Sequence, residues 1–160
     1  MITLYHGSNV EIKEIDFTKC KVGKDFGKGF YLNSNFDQAY KMAVRTKNIT
    51  KEGIETVSAF EFDDVILTNT DKLKVKIFSD YSKEWADFVV ENRKNKSEVA
   101  IHSYDIVVGP IANDNVGTQI YRYSRGFIDI DRLIAELKFE EMSIQYFFGT
   151  ERAVKLLKRI

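Results

Sequence analysis

This sequence is poor in the residues that form covalent cross-links and metal centres. Cys20 is its one cysteine, and His6 and His102 are its two histidines. One cysteine excludes an intrachain disulfide and a cysteine-rich zinc site, and two histidines argue against a histidine-rich metal site. We therefore predict no metal centre and a fold that is held together by its apolar core.

Proline and long apolar segments are scarce as well. Pro110 is the one proline among 160 residues, and no linker rich in Ser, Gly or Pro divides the chain. The sequence therefore predicts one domain over residues 1–160. A membrane-spanning helix needs about 18 or more consecutive apolar residues, and the sequence has no such run. The first residues also lack the order of a secretory signal, basic and then apolar, so we predict no membrane contact and a cytoplasmic location.

Neither sign of charge is in excess. The 24 Lys and Arg residues equal the 24 Asp and Glu residues, which gives a formal net charge of zero. A broad coat on nucleic acid or a polybasic membrane anchor needs a positive excess, so both functions are disfavoured. The composition, 44% hydrophobic and 30% charged, is typical of a soluble globular domain.

Apolar residues alternate along some segments and recur at helical spacing along others. The predicted strands are 2–6, 29–32, 56–62, 72–78, 104–108 and 143–148, and the predicted helices include 36–44, 82–92 and 130–137. Asn35 and Asp129 are predicted to cap the first and the last of these helices. Gly109 and Pro110 are expected to end the fifth strand at Val108. A last helix that bears Ala153, Leu156, Leu157 and Ile160 is expected after Thr150. Because strands and helices do not alternate regularly, the predicted fold class is α+β with a mostly antiparallel sheet.

Three predicted strands carry a polar residue where ordinary core or surface residues are expected. His6 ends its strand directly before Gly7, where a ligand could approach the backbone closely. Tyr31 follows a loop with two glycines and offers a ring that could stack on a flat heterocycle. Gln145 shares one strand face with Ser143 in the most aromatic strand of the chain. Each residue also has a purely structural interpretation. His6 and Tyr31 could be ordinary core residues, and Gln145 could lie on a surface or edge strand. The pattern alone leaves both interpretations open.

Taken together, these segments resemble the ADP-ribosyltransferase superfamily, and most closely a bacterial branch of unknown function. The resemblance covers essentially the whole chain. It rests on Leu4-Tyr5-His6-Gly7-Ser8, Gly29-Phe30-Tyr31-Leu32, Asp105 to Asp114, and Gln145-x-x-Phe148-x-Thr150. It implies split antiparallel β-sheets with flanking helices, arranged around a folded NAD molecule that serves as substrate.

The resemblance also implies a role for each of these residues. His6 would hydrogen-bond the adenosine ribose, and the Gly7 backbone would hold the nicotinamide carboxamide. Tyr31 would stack on the nicotinamide ring. Gln145 stands where the family has its catalytic glutamate, and it would contact the nicotinamide ribose.

Two further residues are predicted to contact NAD. Ser143 is included because it shares the strand face of Gln145. Tyr40 is included as the second family tyrosine. Because it lies on an apolar helical stripe, however, our first interpretation is that it is a core residue. Gln145 itself departs from the family pattern, because an amide can accept a hydrogen bond but cannot act as a general base. On the sequence alone, replacing Gln145 by glutamate is expected to raise NAD hydrolysis.

The predicted function is an NAD-dependent transfer of ADP-ribose to a macromolecular acceptor, either a protein or a nucleic acid. By resemblance, the chain would be a bacterial toxin or phage-defence component, with a neutralising antitoxin as a partner. Two alternatives stay open because of the neutral Gln145. One is a catalytically weak or inactive module that binds NAD or a related nucleotide, and the other is an NAD glycohydrolase.

Overall fold

The computed structural model describes residues 1–69 and 71–160, and these residues form a seven-stranded sheet with flanking helices. The strands are β1 (Ile2–Ser8), β2 (Phe30–Asn33), β3 (Thr56–Phe62), β4 (Val75–Ile77), β5 (Ile106–Pro110), β6 (Ile144–Phe148) and β7 (Lys158–Arg159). The helices are α1 (Phe36–Thr50), α2 (Lys83–Lys94), α3 (Asp114–Ser124), α4 (Ile130–Leu137) and α5 (Glu151–Val154). The order in the sheet is β4-β5-β6-β2-β1-β3-β7. The predicted α+β class is confirmed.

The sheet differs in two ways from the split antiparallel sheets that were predicted. It is one sheet within the described residues, and β4 runs parallel to β5 while the other neighbouring strands are antiparallel. The parallel pair follows from the connection, because α2 carries the chain back across the sheet before β5 begins. In the described residues, β1 and β2 pair only at Tyr5 and Asn33, so the two halves of the sheet nearly separate there.

Most helices begin at a polar side chain that the sequence places one residue before them. Asn35 accepts a hydrogen bond from the N–H of Gln38, and Asp129 accepts one from the N–H of Arg132. Both caps were predicted, and they satisfy N–H groups that would otherwise lack a partner at the start of α1 and α4. Ser82, Asn113 and Thr150 cap α2, α3 and α5 in the same way.

Each face of the sheet buries its own apolar core. Residues on one face pack against α2, α3 and α4, and this core contains Trp85, Val107, Leu133 and Phe147. Phe148, the next residue along β6, lies in the core on the opposite face. Side chains alternate between the two faces of a strand, so Gln145 lies on the same face as Phe147.

Helix α1 lies directly on β1 at Gly7. A Cβ atom on Gly7 would be 1.8 Å from the carbonyl oxygen of Ala39 and 2.8 Å from the amide nitrogen of Ala43. No side chain fits at that distance, so glycine permits the close contact between helix and strand. The helix therefore covers this face of β1, and Gly7 is buried beneath it.

Two sequence predictions were wrong, one for the last helix and one for the end of the fifth strand. The last helix ends at Val154, and the chain continues into β7 along the edge of β3. The apolar residues after α5 pack on the core from this short connection, which sequence periodicity cannot distinguish from a helix. The fifth strand was predicted to end at Val108, but β5 continues to Pro110, its last residue. Proline is tolerated there because its nitrogen points towards the side where β4 has already ended opposite Val108.

None of the helices in the described part of the chain combines the length and the apolar character that are needed to cross a membrane.

Candidate functional site

The strands that carry Gln145, Tyr31 and His6 are neighbours, in the order β6-β2-β1. Across these strands, Gln145 lies opposite Asn33, and Asn33 lies opposite Tyr5. These three residues form a row on one face of the sheet, and Tyr31 lies on that same face. The alternation of side chains puts His6 on the other face, with Phe30. The fold therefore brings the three strands together, and no hydrogen bond joins the side chains of His6 and Gln145 in the described residues.

The imidazole of His6 reaches across the opening between β1 and β2. Its Nδ1 atom is 2.8 Å from the carbonyl oxygen of Tyr31, and its ring stacks on Phe30 with 4.5 Å between centroids. Because a carbonyl only accepts, Nδ1 carries the hydrogen and Nε2 of the neutral ring is an acceptor. Burial lowers the pKa of His6, although the hydrogen bond to Tyr31 opposes this, so the ring is neutral at neutral pH.

The backbone of Gly7 faces the same opening. The Ile160 N–H donates to the carbonyl of Ala59, so the backbone groups of Ala59 point away from β1. Tyr5 lies opposite Ala59, and the two form a pair without mutual hydrogen bonds. Tyr5 and Gly7 therefore both direct their N–H and C=O groups towards β2. Since the described pairing with β2 stops at Tyr5 and Asn33, Gly7 presents one donor and one acceptor to the opening.

The hydroxyl of Tyr31 holds the loop that precedes β2. It donates to the carbonyl oxygen of Gly27 at 2.6 Å and accepts from the N–H of Phe26 at 3.0 Å. The ring packs against Phe26 and, at 5.2 Å between centroids, against Phe147. Burial, reinforced by the charge of Asp25, raises the pKa of Tyr31 well above its ordinary value, so the hydroxyl stays protonated. The sequence did not indicate this structural role of the hydroxyl.

Gln145 is buried, with 8% of its surface exposed, and its amide nitrogen is fully engaged. Nε2 donates to Oδ2 of Asp25 at 3.0 Å and to the carbonyl oxygen of Pro110 at 3.3 Å. Both partners only accept, which fixes the amide with its nitrogen towards Asp25 and its oxygen away from it. The orientation of Gln145 is therefore set by contacts within the protein.

Asp25 is the site residue that sequence reasoning missed. Its Oδ1 atom accepts from Nε of Arg93 at 2.8 Å, and Oδ2 also accepts from the N–H of Ala112 at 3.2 Å. Only 14% of the Asp25 side chain is exposed, and Arg93 balances its charge. A carboxylate thus lies beside the neutral Gln145. No local signal could have found it, because Asp25 and Gln145 are 120 residues apart in the sequence.

Two acceptor atoms at this site are not used by the protein. Among the described residues, Nε2 of His6 and Oε1 of Gln145 have no hydrogen-bond partner. In the same part of the chain, the hydroxyl of Tyr81 is the one enclosed side-chain polar atom without a partner. The His6 and Gln145 atoms are therefore at least partly open to solvent.

The first reading of Tyr40 as a core residue was wrong, because 48% of its surface is exposed. Its neighbours on α1 indicate which way it faces. Lys47, about 20° away around the helix, pairs with Glu55 on the β3 side, whereas Arg45 pairs with Asp114 of α3. Tyr40 therefore lies on the side of α1 that is turned away from α3, and it does not join Tyr31 and Gln145.

Ser143 lies directly before β6 and is half-buried. Its carbonyl oxygen accepts from the N–H of Ile111 at 2.8 Å. Because side chains alternate along the strand, Ser143 lies on the same face as Gln145, as the sequence predicted. It is two residues further along the strand from Tyr31 than Gln145 is.

The second histidine, His102, ties the loop before β5 to the loop before β2. The N–H of Tyr104 donates to Nδ1, so the ring hydrogen is on Nε2, which donates to the carbonyl oxygen of Phe26 at 2.7 Å. The sequence had indicated no partner for His102. Burial lowers the pKa of His102, and the bond to Phe26 offsets part of this effect.

We expect the protein to lose stability as the pH falls below about 6.5, the ordinary pKa of histidine. Because the pKa of His102 is lower in the folded state, the unfolded chain binds a proton first as the pH falls. The free energy of unfolding that neutral His102 contributes is therefore fully present above the unfolded pKa and is lost as the pH falls through the folded pKa. His6 has a pKa shift in the same direction. Thermal unfolding between pH 7.5 and 5 would measure the loss, and His102→Gln should flatten the curve. An unchanged slope in His102→Gln would contradict the role of His102.

Within the described residues, no three His, Cys, Asp or Glu side chains lie close enough together to hold a metal ion.

The model of one protein family, described as "Protein of unknown function (DUF3990)", matches residues 2–159. No curated protein and no solved structure matches the chain.

Proposed function

We propose that this chain, which belongs to the DUF3990 family of proteins of unknown function, is an NAD-dependent transferase that moves ADP-ribose to a macromolecular acceptor. The proposal includes an ADP-ribosyltransferase-like fold, in which the near separation of β1 and β2 corresponds to the split of the sheet. One observation carries it. Where β1 and β2 part, the protein leaves the backbone groups of Gly7 unpaired with β2 and leaves Nε2 of His6 free to accept.

These groups match the polar groups of NAD. A carboxamide has one acceptor oxygen and an NH₂ donor, which the N–H and C=O of Gly7 complement. A ribose hydroxyl can donate to Nε2 of His6, because the bond to Tyr31 keeps the hydrogen on Nδ1. Tyr31 supports the site from the loop that it holds, and its half-buried side chain would supply the ring for stacking.

The reaction would break the bond between nicotinamide and the ribose, and the electron pair would leave with the nicotinamide. Positive charge then develops on the ribose, so the site must stabilise that charge. Oε1 of Gln145 would accept from the ribose 2′-hydroxyl, and Nε2 is held by Asp25. The carboxylate of Asp25, whose charge Arg93 balances, would polarise the amide towards Oε1 through this hydrogen bond. The acceptor's nucleophilic atom would then form the new bond to the ribose and lose its proton.

A second candidate function is a nucleotide-binding module with little or no turnover. The ion pair between Asp25 and Arg93 favours it, because a carboxylate balanced by a guanidinium is a poor general base. An NAD glycohydrolase would use water as the acceptor. It would require the same contact between Gln145 and the ribose.

The proposal is tested by incubating the full chain with NAD that is labelled in its ADP-ribose part, in the presence of cell lysate. We expect a labelled macromolecule, and digestion with protease or nuclease identifies its class. Gln145→Ala should lose at least about tenfold in rate, while Gln119→Ala on α3 serves as the matched control. Free ADP-ribose alone would indicate a glycohydrolase. NAD that is bound but unchanged would indicate a binding module, and neither binding nor turnover would overturn both proposals.

A further inference from the structure

A cavity of about 380 Å³ is lined in part by the loop that Tyr31 holds. Phe26 and Gly27 of that loop line it, and His6, Gly7, Tyr31 and Gln145 do not. Its volume is within the range of small-molecule sites, about 300–1,000 Å³. The cavity is therefore distinct from the proposed NAD site and separated from it by the loop.

Positive charge is in excess at this cavity, in a chain whose net charge is zero. Its lining contains three cationic side chains, Lys28, Lys74 and Arg152, and one carboxylate, that of Asp105. Asp105 is fully buried and accepts hydrogen bonds from Nε and Nη2 of Arg152, so its charge is already balanced. Such a surplus of cations attracts an anionic ligand.

Lys74 and Arg152 each keep a donor for such a ligand. Among the described residues, the side-chain partner of Lys74 is the neutral hydroxyl of Ser103, which lies 3.2 Å from Nζ. Arg152 uses Nε and Nη2 on Asp105, and Nη1 has no partner in that part of the chain. Lys28 pairs with Glu98 on the protein surface, so it contributes less. Two donors on different elements suit the several oxygens of a phosphate.

The other part of the lining is aromatic. The rings of His102 and Tyr104 lie 5.4 Å apart between centroids, and Phe147 packs against His102 at 5.7 Å. Both nitrogens of His102 are engaged with backbone groups, so His102 can offer a ligand its ring face but not a further hydrogen bond. Ring faces of this kind bind flat heterocycles by stacking.

We infer that this cavity binds a nucleoside 5′-monophosphate, with the phosphate at Lys74 and Nη1 of Arg152 and the base against His102 and Tyr104. The combination of two free cationic donors, the Lys74 ammonium and Nη1 of Arg152, with aromatic rings fits this ligand, whereas inorganic phosphate would leave the rings unused. The ligand would also stabilise the loop that carries Asp25, because His102 and Tyr31 hold Phe26 from two sides. This inference does not depend on the proposed transferase activity.

Binding is tested by titrating the full, isotope-labelled chain with uridine 5′-monophosphate at low salt and following its amide resonances by NMR. We expect the largest shifts at Gly27, Ser103 and Gly149, which line the cavity. Lys74→Gln should weaken binding about tenfold or more, whereas Lys72→Gln, an exposed lysine outside the cavity, should bind as the wild type does. Uridine without the phosphate should also bind about tenfold more weakly or not at all.

The variant His6→Ala separates this site from the proposed NAD site. Unchanged binding in His6→Ala, together with weaker binding in Lys74→Gln, supports the cavity. The inference is overturned if the shifts concentrate at Gly7 and binding is lost in His6→Ala, because the nucleotide then occupies the other site. It is equally overturned if Lys74→Gln binds as tightly as the wild type, or if no binding occurs at millimolar nucleotide.

Discussion

Replacing Gln145 by glutamate is expected to destabilise the protein at neutral pH and to lower NAD turnover. The sequence alone suggested that NAD hydrolysis would rise, since the substitution restores the family glutamate. The difference comes from Asp25, whose Oδ2 atom accepts a hydrogen bond from Nε2 of Gln145 at 3.0 Å. In the variant this hydrogen bond is replaced by a contact between two carboxylates, of which Arg93 can balance only one.

The expected effect on stability follows from the lost bond. A hydrogen bond to a charged group contributes about 1.5–3 kcal/mol, which corresponds to a decrease in melting temperature of about 3–12 °C for a chain of this size. The two carboxylates bind one proton more readily in the folded state than in the unfolded one. The folded state is therefore favoured at low pH, and the deficit of Gln145→Glu relative to the wild type should shrink as the pH falls towards about 4. Thermal unfolding at a series of pH values would measure this.

Two further variants isolate the cause. Gln119→Glu is the matched control, because Gln119 lies beside Arg122 on α3 and the new charge gains a partner there. It should change stability by less than about 0.5 kcal/mol. Combining Asp25→Asn with Gln145→Glu restores one amide and one carboxylate, and it should recover part of the stability at pH 7.5. A single Gln145→Glu variant that is as stable as the wild type at pH 7.5, or that hydrolyses NAD faster, would contradict the assigned contact.

Gly7→Ala is expected to cost about 3 kcal/mol, at the upper end of what overpacking costs, because a Cβ atom would lie 1.8 Å from the carbonyl oxygen of Ala39. The obstacle is backbone, so α1 must move away from β1 as a whole. The melting temperature should fall by about 6–12 °C. The same shift would displace the N–H and C=O of Gly7, and NAD binding should weaken with it.

The matched control for this change is Gly117→Ala. Gly117 lies within α3, and an added Cβ would meet its nearest atoms, the carbonyl oxygen of Ala112 and Nη1 of Arg93, at an ordinary distance of 3.6 Å. Alanine has the higher helix propensity, so this variant should be as stable as the wild type or more stable by up to about 1 kcal/mol. Equal melting temperatures for Gly7→Ala and Gly117→Ala would refute the close packing of α1 on β1.

The candidate site could be predicted in part, because its residues stand out locally. His6, Tyr31 and Gln145 each interrupt a strand pattern, and the structure places their strands side by side. Asp25 could not be found in this way, since it lies in a polar loop and its role comes from contacts with Arg93 and Gln145. Tyr40 was wrongly predicted to be a core residue, because a stripe of apolar residues on a helix does not show whether the neighbouring strands extend far enough to cover it.

Features that depend on near neighbours along the chain could be predicted from the amino-acid sequence. Alternation and helical spacing predicted the strands and helices that make the α+β class, and Asn35 and Asp129 marked where α1 and α4 begin. These features are local because a hydrogen-bonded turn or a strand face involves residues only a few positions apart.

Only the tertiary structure decided which strands are neighbours and which side chains meet across them. The parallel pairing of β4 with β5, the addition of β7 at the edge of β3 and the contact of Asp25 with Gln145 all join residues that are far apart in the sequence. Such contacts depend on strand register and on the packing of whole elements, which no local pattern encodes. The orientation of the Gln145 amide is therefore a property of the fold, because the Asp25 and Pro110 oxygens fix its direction.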